Sequence, residues 1–168
     1  AGIYAAKGQV EQALLNVHDF LGYKPESVEG AVLAARMELQ MQNYRNAERL
    51  LLPVIAQRKD NLEALNLLAD ARLAQGKIES TVELLKKVVE LQPESKQAKA
   101  RLGAAYLTGG SEELGIETLQ GILVTDPSYD EANTLIVTYY LGQKKAAKAI
   151  QAAQEYINRN PGAKSYVL

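Results

Sequence analysis

The chain has no cysteine, no tryptophan, one phenylalanine and one histidine among its 168 residues. Without cysteine there is no disulfide framework and no thiolate metal site, although this leaves the compartment open. The lone histidine, His18, lies in "NVHDF" beside Asp19 and reads as a surface or packing residue. No second histidine and no glycine-rich phosphate loop accompany it, so nothing assembles into a catalytic or metal-binding set. Lys and Arg number 19 against 20 Asp and Glu, a net charge of −1. That balance gives no electrostatic case for nucleic acid. No apolar run approaches the roughly 20 residues that cross a bilayer, so no direct membrane contact is expected. No signal peptide is seen, but the chain opens in mid-pattern at "AGIYAAKG" and reads as a section of a longer protein.

What is present is regular. Hydrophobic residues make up 47% and charged residues 23%, enough apolar surface for a buried core. Pro93, Pro127 and Pro161 stand 34 residues apart, and the same step backwards meets Lys59 and then Pro25. Gly8, Gln42, Gly76, Gly110 and Lys144 hold one slot of that period, and Val17, Leu51, Leu85, Leu119 and Ala153 another. A fixed period of this length is the signature of a repeat architecture.

Within each period the apolar residues recur at helical spacing, as at Val82, Leu85, Val88 and Val89 in "IESTVELLKKVVELQ". The glycine slot between two helices predicts a turn with positive φ, and the proline slot ends the second helix. Ser95 and Asp130 are candidate caps for the helices that follow. Runs of alternating polar and apolar residues are nearly absent, so the expected fold is all-α. Pro53, inside "AERLLLPVIAQ", predicts a kink or break between residues 49 and 53.

The spacing resembles the tetratricopeptide repeat, a helix–turn–helix unit of the same length. Leu102, Gly103, Tyr106, Gly110, Gly115, Leu119, Ile122 and Pro127 carry the resemblance best. It covers the whole chain as one array. Residues 1–27 read as the tail of an earlier unit, followed by complete units at 28–61, 62–95, 96–129 and 130–163, with 164–168 opening another. The resemblance implies a right-handed superhelical solenoid of antiparallel helix pairs, whose first helices line a concave face. Small residues at Ala35, Ala69 and Gly103 would let paired helices approach closely.

That face would hold a peptide or helix of a partner protein. The candidate contact residues are Arg36, Leu39, Asn66, Asp70, Leu73, Leu107, Thr134, Thr138 and Leu141. The four leucines form a line at the repeat spacing, which reads equally as a binding stripe or as packing between units. Chaperone-binding members of the family clamp a carboxylate with a lysine and an asparagine at the fifth and ninth places of a unit. Here those pairs are Val32/Arg36, Asn66/Asp70, Ala100/Ala104 and Thr134/Thr138, and none matches.

"LLADARLAQGKIESTVELLKKVVELQPESKQAKARLGAAYL" and "LIVTYYLGQKKAAKAIQAAQEYINRNP" also resemble bacterial tetratricopeptide lipoproteins of exopolysaccharide export and exosortase (PEP-CTERM) sorting. That resemblance implies a periplasmic or outer-membrane-anchored scaffold. The reading from sequence is therefore a non-catalytic interaction scaffold without cofactor or metal. The alternative is a spacer section of a longer solenoid with no binding site of its own. Apolar residues at the two ends, among them Ile3, Tyr4, Ile150 and Ile157, predict a chain that is monomeric or weakly self-associating end to end.

Overall fold

Ser27, Asn61 and Ser95 stand one period apart, and each side chain accepts a hydrogen bond from the amide three residues on, at 3.1, 2.9 and 3.1 Å. Each satisfies one of the free donors at a helix start. The helices that follow are α2 (Val28–Gln40), α4 (Leu62–Ala74) and α6 (Lys96–Thr108). Asp130, expected as the fourth cap, is instead the first residue of α8 (Asp130–Gly142). Tyr129 holds the cap position and makes no side-chain cap bond, so Asp130 contributes only its charge at the positive end of the helix.

The computed structural model describes residues 2–160, with side chains from Gly8 onward. Pro161, the start of a further unit at 164–168 and the side chains of Ile3 and Tyr4 lie outside the described residues. Among those described there are helices and no strands. The other helices are α1 (Gly2–Tyr23), α3 (Tyr44–Gln57), α5 (Ile78–Leu91), α7 (Glu112–Thr125) and α9 (Ala146–Arg159).

Each first helix ends in the same bonded turn. The amides of Asn43, Lys77, Ser111 and Lys145 donate to the carbonyls of Glu38, Arg72, Tyr106 and Tyr140 at 2.8–2.9 Å. The amides of Gln42, Gly76, Gly110 and Lys144 donate to the carbonyls of Leu39, Leu73, Leu107 and Leu141. This is a Schellman closure, which needs a left-handed residue after the helix. Gly76 and Gly110 supply it at φ of 73° and 79°. Gln42 and Lys144 adopt 62° and 58° despite carrying a Cβ, because the hydrogen bonds of the turn hold them there.

Neither Gly8 nor Pro53 interrupts its helix. α1 runs through Gly8 without a turn. Glycine takes helical φ as readily as positive φ, so the slot permits a turn and does not impose one. α3 likewise continues through Pro53, so of the kink or break expected there the break does not occur. Pro53 and Arg49 are both exposed, so water can serve the carbonyl that the proline leaves without a donor.

The chain gathers into two compact units, residues up to Leu91 and residues from Gln92 onward. In the first, α2 packs on α3 and α4 on α5, α3 and α2 both meet α4, and α1 lies against α2. Its core includes Val32, Ala35, Leu51, Val54 and Leu68, all buried. In the second, α6 pairs with α7 and α8 with α9 around Ala100, Leu119, Ile122, Ala132 and Ile136. Leu85 and Leu119 are buried, as the repeat frame predicts.

Candidate functional site

In the first unit the candidate residues belong to α2 and α4. Arg36 of α2 pairs with Glu63 of α4, and both side chains remain about half exposed. Arg58 approaches Glu29 at 3.8 Å on the same side. Between them lies a depression of about 330 Å3 lined by Val32, Arg36, Arg58 and Glu63, among others. The Asn66 amide donates to the carbonyl of Leu62 at 2.7 Å, which turns part of its capacity back into its own helix. Asp70 is exposed. Leu73 is 40% exposed, while Leu39 is half-buried against the core.

In the second unit the candidates separate. Thr134, Thr138 and Leu141 of α8 are exposed, Leu141 by 58%. Leu107 of α6 is buried, and its side chain occupies the space that Gly115 of α7 leaves empty. A Cβ on Gly115 would stand 2.5 Å from Leu107 Cδ2. Leu107 is therefore a core residue, and the leucines at 39, 73, 107 and 141 do not form one uniform exposed stripe. Their shared position follows from the helix closure, where each supplies the carbonyl two places before the cap.

The strongest charge clusters lie elsewhere and were missed from sequence. Glu48 of α3 accepts from Arg72 Nε at 3.0 Å, Gln75 Nε2 at 2.9 Å and Lys77 Nζ at 2.6 Å. Lys77 foremost, then Gln75 and Arg72, hold its carboxyl down at about 2 against the opposing effect of burial. One signal was available: Glu48 shares its slot with Val82, Ile116 and Ile150, so a carboxylate stands where the other units are apolar. In the second unit Glu112 accepts from Lys145 at 2.5 Å, Lys148 at 3.3 Å and the Tyr139 hydroxyl at 3.2 Å. These donors, Lys145 first, lower its carboxyl below the usual range. Both clusters tie one helix pair to the next.

His18 lies 3.7 Å from Glu38, whose buried carboxylate accepts from the side chains of Asn43 and Asn46. Among the described residues no group of acidic or histidine side chains converges as a metal site would require. No described helix is long and apolar enough to cross a membrane.

The sequence profile of the tetratricopeptide repeat matches residues 32–83 and 67–133, more than half of the chain. The chain belongs to the tetratricopeptide-repeat family. Three solved structures show the same fold. MamA from Desulfovibrio magneticus RS-1 superposes with a TM-score of 0.79 at 18% identity, over 94% of this chain and 89% of its own. YrrB, described as a TPR protein with an unusual peptide-binding site, gives 0.75 at 15% identity, over 95% and 82%. TTC0263, a thermophilic TPR protein of Thermus thermophilus, gives 0.64 at 19% identity, over 95% and 87%. No curated protein sequence matches the chain. In this tetratricopeptide-repeat chain, then, charged and polar first-helix faces stand beside well-filled helix-pair cores.

Proposed function

We propose that this chain is a non-catalytic section of a repeat scaffold that holds a peptide or helix of a partner protein on its first-helix faces. The complete units are those at 28–61, 62–95, 96–129 and 130–163, read as one array. In the first unit the contacts come from Arg36, Leu39, Asn66, Asp70 and Leu73. In the second they come from Thr134, Thr138 and Leu141, with Leu107 acting from beneath as core. The observation that carries the reading is the face of α2 and α4. Exposed Leu73 there stands on the same helix as Glu63, which pairs with Arg36 across to α2. An apolar anchor with polar flanks suits an amphipathic helix or an extended segment.

The description of YrrB as peptide-binding agrees with this role. The proposal does not extend to exopolysaccharide export or surface sorting, which neither the family match nor these three neighbours carry. Weak self-association accompanies it, since Ile150 of α9 is 69% exposed and Phe20 of α1 43%.

An affinity capture with the chain as bait, from an extract of its source cells, tests the reading. A saturable partner that is lost on Leu73→Glu, with helicity retained, supports it. Capture unaffected by Leu73→Glu and by Leu141→Glu overturns it, and capture only by a longer form of the protein favours the spacer.

A further inference from the structure

A cavity of about 390 Å3, open to the surface, lies in the first unit between α1, α2 and α3. Leu21, Val28, Ala31, Leu50, Pro53 and Val54 give it an apolar lining. None of the first-helix candidates lines it, and it shares only Val28 with the depression beside Arg36 and Glu63.

The repeat explains the opening. Ala31 is the fourth residue of its unit, and one period on that place holds Leu65, which is fully buried. Ala31 is thus three carbons smaller than its counterpart in the next unit. Gly22, also on the wall, likewise has Ala56 as its counterpart. The small side chain of Ala31 favours an aliphatic occupant beside it.

Its polar edge is equally particular. Arg49 lines the cavity and is exposed, and its side chain takes part in none of the ion pairs or hydrogen bonds among the described residues. One period on, its slot holds Glu83, so the positive charge belongs to this unit alone among the two. Pro53, four residues after Arg49, has no N–H to donate to the Arg49 carbonyl. Arg49 therefore brings to the apolar lining a cation that no described side chain neutralises. Glu26 is the acidic neighbour and His18 the remaining titratable group on the wall.

We propose that this cavity binds a peptide segment in which a leucine-sized side chain adjoins a carboxylate. The aliphatic group enters beside Ala31, and the carboxylate pairs with the Arg49 guanidinium. A pocket of this size, mostly apolar with a few placed polar groups, has the general form of a ligand site. The face of α2 and α4 plays no part, so this site stands or falls separately from it.

Methyl NMR of the 168-residue chain, titrated with N-acetyl-L-leucine, tests the proposal. Saturable shifts are expected at Ala31, Leu50 and Val54, with a Kd on the order of 1–10 mM for so small a probe. N-acetyl-L-leucine amide lacks the charge and N-acetylglycine lacks the aliphatic group, and each is expected to bind at least about tenfold more weakly. Ala31→Leu copies what the chain itself does at position 65 and should abolish the shifts at Leu50 and Val54. Arg49→Glu, at an exposed position, should weaken binding about tenfold or more with helicity unchanged. If Ala31→Leu fails to fold, Arg49→Glu decides alone. The proposal is overturned if no saturable shift appears, if the shifts persist undiminished in Arg49→Glu, or if they fall on Leu39 and Leu73 and not on the cavity.

Discussion

A Cβ built on Gly103 of α6 would lie 2.7 Å from Cγ of Leu119 on α7. The two residues share one space, and the helices of that pair can approach only because position 103 has no side chain. Gly103→Ala should gain about 1 kcal/mol in helix propensity yet lose about 1–3 kcal/mol to overpacking. A lower urea midpoint with an unchanged slope is expected, and a higher midpoint would show that α6 and α7 can move apart freely.

Leu119 is fully buried, so Leu119→Ala should cost roughly 2–5 kcal/mol. Adding Gly103→Ala should partly refill the hole, so the double variant should lose less than the sum of the singles. Denaturant melts of the four proteins measure the coupling. Simple additivity would mean that the two residues do not share the space.

Gln42→Gly and Lys144→Gly should each stabilise the chain by about 0.5–1 kcal/mol, since both residues now hold a left-handed conformation against their own Cβ. The converse change, Gly76→Gln, should cost about 1–2 kcal/mol at φ of 73°. Thermal melts should therefore move in opposite directions at equivalent slots of the repeat. Shifts of the same sign would refute the turn argument.

The Glu48 cluster gives a dependence on acid. Its folded carboxyl titrates at about 2 and its ordinary value is 4.5. The folded state thus favours the ionised form, and the stabilisation is complete above pH 4.5 and lost as pH falls towards about 2. Glu48→Gln should destabilise the chain near neutrality and flatten the fall in stability across that window. An unchanged acid profile in the variant would show that Lys77, Gln75 and Arg72 do not hold the carboxylate in solution.

Much of the fold could be read from spacing, because a 34-residue step fixes where turns and caps must recur. Gly76, Gly110 and Ser95 took their expected places for local reasons, namely positive φ and a side-chain acceptor. Gly8 and Asp130 did not, and no break forms at Pro53, since each rule there states what a residue permits. A glycine can stay helical, an exposed proline can sit in an unbroken helix, and a cap can fall one residue earlier. The candidate faces were harder. Whether Leu107 is surface or core depends on Gly115 of α7, on the neighbouring helix but directly opposite in space. The Glu48 cluster joins residues 24 to 29 positions apart, which no local pattern encodes.

Site-specific photo-crosslinking tests the central claim most directly. Benzoylphenylalanine replaces either Leu73 on the first helix α4, or Val124 on α7, which is 80% exposed. Each protein is irradiated with an extract of its source cells. A partner protein crosslinked from position 73, with the crosslink mapped to one segment and absent from position 124, is the predicted result. Equal labelling from both positions, or labelling from 124 alone, would contradict the assignment of binding to the first-helix face.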